Sequence, residues 1–303
     1  MTRAPISNGL ASVADWVARA ERQLRSAKLF FGHGTHRARD EAFWIASHAL
    51  GCTFDDLVGA PGKRLTLAER IRADELVSNR IATRKPLAYL IGEAWLAGNR
   101  FYVDERVIVP RSFIAEGLET TIPAWISGRV SRALDLCTGS ACLAILMARQ
   151  FRTASIDAVD ISAGALDVAR INVKRYRLSR RIRLLQSDLF ARLAGCRYDL
   201  IVSNPPYVDA ASMRSLPQEY KHEPELALAG GKDGLELVRR LLVRAPRHLV
   251  QNGLLVCEIG HNRRILERTF PRIPFVWIST QTGSEEVFLV SREDLVDGLK
   301  ADG

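Results

Sequence analysis

The sequence has no uninterrupted apolar run that approaches the ~20 residues of a membrane-spanning helix. Residues 1–10 also lack the apolar segment of a secretory signal peptide. No internal repeat or low-complexity tract interrupts the 303 residues, a length that suits one large or two smaller domains. These absences exclude membrane and repeat architectures and predict a globular protein of the cytoplasm.

The sequence has few cysteines, and their spacing predicts no metal-binding or redox pair. There are five cysteines, mostly within apolar runs, and no Cys-x-x-Cys pair suggests zinc or redox chemistry. We interpret them as reduced core residues: Cys52, Cys137, Cys142, Cys196 and Cys257. His33 and His36 are three residues apart, but no neighbour completes a metal set, so a glycine-rich turn with exposed imidazoles is the better interpretation. No metal site is predicted.

The glycine fingerprint of dinucleotide-binding proteins, Gly-x-Gly-x-x-Gly, is also missing, but a related arrangement is present. Residues 132–137 are predicted as a strand, and Thr138-Gly139-Ser140-Ala141 as the turn that opens a helix. Small residues let the backbone approach a ligand, and the start of the helix offers free N–H groups. A nucleoside-binding loop with one glycine favours S-adenosyl-L-methionine over NAD.

The next two predicted strands are each followed by an acid at the carboxyl end. Strand 155–160 ends at Asp160, about 20 residues after Gly139, the spacing at which a carboxylate meets ribose hydroxyls in dinucleotide folds. Strand 182–186 leads into Asp188. A helix cap before residues 162–175 is the alternative interpretation of Asp160. The predicted cofactor-binding residues are Asp135, Cys137, Thr138, Gly139, Ser140, Ala141, Asp160, Ile161, Asp188, Leu189 and Asn204.

Asn204-Pro205-Pro206-Tyr207 follows residues 198–203, an apolar run typical of a buried parallel strand. The prolines end the strand and stiffen the turn, because each ring fixes φ and removes an N–H donor. Ligands bind at the carboxyl ends of strands in open α/β sheets. An amide, free carbonyls and an aromatic ring at that place suit a planar NH2 group. An ordinary turn is the alternative for a lone Asn-Pro pair, but the upstream cofactor loop favours a catalytic role for all four residues.

Several segments together carry a family resemblance. Three core features are DLCTGSA at 135–141, the acid at 160 and NPPY at 204–207. Outside the core lie YLIGEAW at 89–95, FYVDERVIVPRS at 101–112 and EYKHEPELAL at 219–228, with further matches at 31–35 and 40–42. From about residue 30 to 290 the chain resembles the protein-(glutamine N5) methyltransferases, in the branch acting on large-subunit ribosomal protein L-three.

The resemblance implies a class I S-adenosylmethionine-dependent methyltransferase fold, which is α/β and Rossmann-like with a seven-stranded, mostly parallel sheet. It implies methyl transfer to the amide N5 of a glutamine. The Asn204 side-chain oxygen and the Pro205 carbonyl would accept the two amide hydrogens, and Tyr207 would pack against the amide. One position departs from the family: Ala141 stands where glycine is usual. Alanine opens a helix without strain if its φ is negative, although its methyl group would narrow the approach of the cofactor.

Hydrophobic periodicity divides the chain near residue 88. Before that point the patterns are helical, with an apolar face from Val13 to Leu24 and a capping box at Thr66–Glu69. From Leu87 to Val109 short β segments are predicted around the turn at Gly98-Asn99. The predicted domains are a helical, substrate-recognising domain at 1–88, a β-hairpin linker at 89–112 and a catalytic domain at 113–303.

The catalytic domain is predicted to end in an antiparallel pair. Its strands are residues 275–279 and 286–290, separated by Thr282-Gly283-Ser284.

Basic residues outnumber acidic ones by 43 to 34, a net charge of +9. Solvated helix faces are the default interpretation. A patch facing nucleic acid is the alternative, because a substrate bound to ribosomal RNA would make such a patch useful. Much of the excess lies at Lys174, Arg175, Arg177, Arg180, Arg181, Arg183, Arg239, Arg240, Arg244, Arg247, Arg263 and Arg264.

Other functional classes remain open at this point. The NPPY chemistry also serves an adenine exocyclic amine, although the chain has no additional target-recognition domain. The sister branch that methylates peptide-chain release factors is closer still. A third possibility is a non-enzymatic adaptor that only binds the cofactor. Such a protein would have a damaged catalytic site, and Ala141 is the one residue that suggests damage.

Overall fold

The structure, a computed structural model, describes residues 12–53, 56, 57, 59, 60, 62–280 and 285–300. The chain forms two compact units. The first combines residues 1–92 with the returning segment 217–222, and the second combines residues 93–216 with 223–303. None of the described helices is long and apolar enough to cross a membrane.

The first unit is helical. Its elements are α1 (Val13–Ser26), α2 (Ala38–Leu50), α3 (Leu67–Thr83), α4 (Leu87–Ile91) and a 3-10 turn at Gln218–His222. The predicted apolar face of α1 is buried, and Ser12 caps the helix by accepting a hydrogen bond from the Asp15 backbone N–H. The predicted capping box at Thr66 and Glu69 is present with both of its hydrogen bonds.

Buried acids hold this unit together. Glu41 lies 2.7 Å from Arg80, and both side chains are nearly inaccessible. Burial raises the pKa of Glu41, although Arg80 opposes the rise. In the returning segment, Glu219 accepts a hydrogen bond from the Phe30 backbone N–H and pairs with Arg84 at 2.6 Å. These contacts make residues 217–222 part of the helical unit.

Two expectations for this region were wrong. Of the two histidines expected to be exposed, His36 is exposed, whereas His33 is buried and its ring centroid lies 4.5 Å from that of Tyr220. Residues 87–91 form α4 rather than the start of the β segments, because Leu87 and Ala88 are buried in helical positions. The helix ends at Gly92, whose φ of 67° is readily adopted by glycine.

The second unit begins with the predicted hairpin, β1 (Ala94–Leu96) and β2 (Asn99–Phe101), which pair antiparallel. Its main sheet has seven strands in the order β5-β4-β3-β6-β7-β9-β8. They are β3 (Arg132–Leu136), β4 (Ser155–Asp160), β5 (Ile182–Gln186), β6 (Tyr198–Ser203), β7 (Leu249–Glu258), β8 (Val276–Ile278) and β9 (Val287–Ser291).

The first five strands of this sheet, β3 to β7, run parallel, whereas β9 is antiparallel to both β7 and β8. The predicted strands 155–160, 182–186 and 198–203 are confirmed, as is the antiparallel closing pair. The turn predicted at Thr282-Gly283-Ser284 lies outside the described residues.

Helices cover both faces of the sheet. They are α5 (Ile114–Glu119), α6 (Ile122–Trp125), α7 (Cys142–Gln150), α8 (Ala163–Arg175), α10 (Glu236–Arg244), α11 (Arg263–Thr269) and α12 (Arg292–Lys300), whereas the short helix α9 (Ala210–Ser215) has no buried residue. Alternate residues of β6 enter opposite cores, Leu200 and Val202 on one face and Ile201 on the other. Burial on both faces explains why β6 is a nearly continuous apolar run rather than an alternating one.

Candidate active site

A cavity of about 290 Å³ opens at the carboxyl ends of β3, β4 and β6. The strands end together because Leu136 is in register with both Val159 and Ser203. The sequence-predicted residues that line the cavity are Cys137, Gly139, Asp160, Ile161, Asp188, Leu189, Asn204 and Pro206. The predicted residues that do not line it are Asp135, Thr138, Ser140, Ala141, Pro205 and Tyr207.

The loop after β3 has alternating left-handed backbone. Cys137, Gly139 and Ala141 have φ values of 61°, 53° and 62°. The expectation of a negative φ at Ala141 was therefore wrong: an alanine occupies a conformation that suits glycine. Gly139 lines the cavity, and nothing lies within 4 Å of the place where a Cβ would be. The strained loop thus brings bare backbone to the cavity wall.

Asp135 supports this loop from behind. Its carboxylate accepts a hydrogen bond from the Thr138 hydroxyl at 2.5 Å and from the Ala144 backbone N–H at 3.0 Å. The side chain is fully buried, and burial raises its pKa to about 7. Asp135 therefore fixes the loop but does not line the cavity.

Asp160 connects the ends of β3 and β4. Its two carboxylate oxygens accept hydrogen bonds from the Gly139 and Ser162 backbone N–H groups, each at 2.9 Å. The cap of α8 is Ser162, whose hydroxyl accepts from the Ala165 N–H at 3.1 Å. Burial raises the pKa of Asp160, although its backbone hydrogen bonds oppose the rise. The carboxylate thus lines the cavity in addition to fixing the loop.

The two end residues of the Asn204–Tyr207 turn have different surroundings. Asn204 lines the cavity, and its side-chain amide makes no hydrogen bond to any described residue. Tyr207 is directed elsewhere, since its hydroxyl donates to Glu258 Oε1 at 3.1 Å. The Asn262 side chain donates to the Tyr207 carbonyl at 2.9 Å. The turn is therefore tied at Tyr207 while the Asn204 amide is available to a ligand.

Two further segments complete the wall of the cavity; they lie in or next to segments that carry the family resemblance, but none of their residues was predicted for the site. Residues 106–108 and 224–229 contribute six apolar side chains and Arg106. They are joined by Glu223, which accepts hydrogen bonds from both terminal nitrogens of Arg111, at 2.6 and 2.7 Å, and from the Val109 N–H at 2.9 Å. The other lining residues that were not predicted are Val159, Ser162, Ala165, Ser187, Leu237 and Arg240.

The lining fits a nucleoside. Carboxylates at Asp160 and Asp188 can accept hydrogen bonds from ribose hydroxyls. Apolar side chains of Ile108, Ile161 and Leu189 provide surfaces for a planar base. The open space at Gly139 leaves room for close approach to the backbone. These residues would hold S-adenosylmethionine.

The sheet order and a cavity at the strand ends define a class I methyltransferase. Residues 114–219 match the family model described as "Methyltransferase small domain", and residues 15–92 match "PrmC N-terminal domain". The crystal structure of the hMettl16 catalytic domain in complex with MAT2A 3′UTR hairpin 1 has the same fold, with a TM-score of 0.50 and 16% identity over 87% of this chain and 94% of that one. Enzymes of this class use S-adenosylmethionine as the methyl donor.

The chain is much closer to a named group of enzymes. The "Ribosomal protein uL3 glutamine methyltransferase" of Bordetella pertussis is 49% identical over 94% of this chain and 97% of the relative. The protein of the same name from Neisseria meningitidis serogroup A is 49% identical over 95% of both chains. The chain belongs to the family of ribosomal protein uL3 glutamine methyltransferases.

Proposed function

We propose that this enzyme methylates the side-chain amide N5 of one glutamine in uL3, the large-subunit ribosomal protein L-three. The supporting similarity extends over nearly the full length of both chains, including the helical unit. The observation that carries the chemistry is the Asn204 side chain at the cavity wall, whose amide has no hydrogen-bond partner among the described residues. A planar amide is the type of substrate that such a group can orient.

The task of the site follows from the nucleophile. A glutamine amide nitrogen is nearly non-basic, because its lone pair is delocalised into the carbonyl. Acceptors for both N–H hydrogens make the nitrogen more electron-rich and favour rotation toward a tetrahedral geometry. The Asn204 side-chain oxygen is one acceptor in this proposal, and the Pro205 carbonyl is the other. Neither Pro205 nor Tyr207, which was assigned above to pack against the amide, lines the cavity, so both of these roles stay predictions.

S-adenosylmethionine supplies a methyl group that its positively charged sulfonium already activates strongly. The main task of the protein is therefore to position the amide for in-line attack. Asp160 and Asp188 would bind the ribose, and the backbone at Gly139 would allow close approach of the remainder. No strong general base is required, because the alkylated amide loses its proton readily. The proposal therefore assigns no proton transfer to the buried acids Asp135 and Glu258.

The helical unit and the basic surface are proposed to recognise the substrate. Two basic residues of this surface are already engaged within the protein. Arg181 donates hydrogen bonds to the backbone carbonyls of Ala148, Phe151 and Ala154, and Arg183 forms an ion pair with Asp157. Four neighbouring cations are exposed and form no ion pair with any described residue: Lys174, Arg175, Arg177 and Arg180.

We propose that this cluster of four contacts ribosomal RNA when the substrate is an assembling large-subunit particle in the cytoplasm. Replacing all four residues with glutamine should raise KM for immature particles, an effect that weakens at high salt. The KM for free uL3 should stay the same. Equal effects on both substrates would contradict RNA contact.

The chemistry is tested with purified enzyme, uL3 and radiolabelled S-adenosylmethionine. The wild type should label uL3 at a glutamine, whereas Asn204→Ala should lose about 100- to 1000-fold in kcat and bind the cofactor nearly as well. Near-normal turnover by Asn204→Ala would show that Asn204 does not orient the amide. Release factors labelled at a comparable kcat/KM would overturn the choice of substrate, and labelled adenine in nucleic acid with no protein product would overturn the class of reaction.

A further inference from the structure

Glu258 is a buried acid next to the transfer site and has no part in the chemistry described above. It is the last residue of β7, and the preceding residue, Cys257, is in register with Ser203 of β6. Glu258 therefore lies at the same edge of the sheet as Asn204. Only 1% of its surface is exposed. A carboxyl group in such a place requires compensating hydrogen bonds.

Three donors from two segments converge on this carboxyl. The Tyr207 hydroxyl donates to Oε1 at 3.1 Å. The Ser112 hydroxyl and the Phe113 backbone N–H donate to Oε2 at 2.5 and 2.9 Å. The Ser112 oxygen itself accepts from the Ile114 N–H at 3.2 Å, which leaves its hydrogen for Glu258. A carboxylate satisfies all three donors because it only accepts. Glutamine would turn an NH2 group toward one of them.

The remainder of Tyr207 is confined by backbone. A Cβ on Gly260 would lie 2.7 Å from the ring, and a Cβ on Gly230 would lie 2.7 Å from the Tyr207 Cα. The Tyr207 carbonyl accepts from the Asn262 side chain. Among the described residues, Glu258 is the hydrogen-bond partner of the hydroxyl. The bond to Glu258 therefore fixes the polar end of a ring whose other parts are already held.

We propose that Glu258 is a positioning residue for methyl transfer, which orients the Asn204–Tyr207 turn through the Tyr207 hydroxyl and couples that turn to residues 112–113. The inference rests on the proposed function, because it takes Asn204 as the group that orients the substrate amide. Glu258 touches neither substrate nor cofactor in this account. Its loss should lower kcat and leave cofactor affinity nearly unchanged.

The charge of Glu258 gives the proposal a pH signature. Burial raises its pKa to about 7, and the nearby Glu286 adds to the rise. Glu286 lies 3.2 Å from the exposed His261, and Arg111 is the positive group that faces Tyr207. When Glu258 is protonated, its own hydrogen competes with one of the three donors. In the wild type, kcat should therefore fall as the pH is lowered through about 7.

The test measures kcat on uL3 for the wild type, Glu258→Gln, Tyr207→Phe and the double variant, with cofactor Kd from calorimetry. Each single variant should lose about 10- to 100-fold in kcat, the effect of a misplaced reacting group. The double variant should lose little more than the worse single one, because both changes break the same interaction. Cofactor Kd should change less than about 3-fold, a difference below 1 kcal/mol. The acidic fall in kcat should disappear in both single variants.

A matched control exists on β4, where buried Asp157 accepts a hydrogen bond from the Tyr198 hydroxyl at 2.7 Å but lies away from the cavity. Asp157→Asn and Tyr198→Phe should leave kcat and its pH profile unchanged. Wild-type kcat in Tyr207→Phe would overturn the proposal even if Glu258→Gln did not fold. Multiplicative losses in the double variant would also overturn it. Failure of the wild type to methylate any glutamine would instead refute the proposed function, before the variants are compared.

Discussion

The Arg111–Glu223 pair should control both the stability of the catalytic unit and the shape of its cavity. Arg111 holds the Glu223 carboxylate through two hydrogen bonds, and the Glu223 side chain is completely buried. Arg111→Met would leave that carboxylate with the Val109 N–H among the three donors described above. Removing one partner of a buried ion pair costs about 3–5 kcal/mol. We expect about 3 kcal/mol, because the Arg111 side chain is 24% exposed and water would solvate part of the site.

The same substitution should weaken the binding of S-adenosylmethionine. Residues 106–108 and 224–229, on either side of the pair, form part of the cavity wall. Releasing them should raise the Kd for S-adenosylmethionine about 10-fold, equivalent to about 1.4 kcal/mol. Arg111→Lys retains the charge but loses the two-pronged contact, so its effects should be smaller, about 1 kcal/mol in stability.

Native-state hydrogen exchange of the sheet amides measures the unfolding free energy of this unit, and calorimetry measures Kd. Arg170→Met is the matched control, since Arg170 pairs with Asp167 on the surface of α8, where both side chains are more than half exposed. It should cost less than about 1 kcal/mol. A loss as small as this for Arg111→Met, or a normal cofactor Kd in the destabilised variant, would refute the reasoning.

Three further predictions concern the cofactor loop. Burial raises the folded-state pKa of Asp135 from 3.8 to about 7, so the stability that this group contributes is present below pH 3.8 and is lost as the pH rises through about 7. Relative to Asp135→Asn, the wild type should lose about 4 kcal/mol of unfolding free energy across that range. A difference between the two proteins that does not change with pH would contradict the raised pKa of Asp135. Asp160→Ala should weaken S-adenosylmethionine binding by about 1.5–3 kcal/mol in calorimetry, and unchanged affinity in a folded variant would remove Asp160 from the site. Ala141→Gly relieves about 1–2 kcal/mol of left-handed backbone strain, but it loses the burial of a methyl group and raises the conformational entropy of the unfolded chain, which together cost a similar free energy. The unfolding free energy should therefore change by less than about 1 kcal/mol, and cofactor binding should be equal or tighter. Clearly weaker cofactor binding would refute this view of the loop.

Local pattern was enough to predict several strands and the motifs at their ends, whereas the seven-stranded sheet followed from the family resemblance. The strand at 198–203 is a mostly apolar run that is buried on both faces, a signal that a short stretch of sequence contains. The chemistry at their ends followed from the same stretches. The acid at Asp160 and the amide at Asn204 both line the cavity.

Contacts between distant residues could not be predicted in this way. Glu223 and Arg111 are 112 residues apart, and Glu258 and Ser112 are 146 apart, so no local pattern joins them. The left-handed backbone at Ala141 was missed for a different reason: alanine normally avoids it, and surrounding structure imposes it here. The short helix at 87–91 was missed because five residues carry too little periodicity.

Mass spectrometry of ribosomal proteins from cells that lack this enzyme tests the central claim most directly. The account predicts that one glutamine of uL3 loses the mass of a single methylene group, while release factors keep theirs. Wild-type enzyme should restore the modification, and Asn204→Ala should not. An unchanged uL3 mass in the deletion strain would contradict the account, and a lost methyl group on a release factor would assign the enzyme to a different substrate.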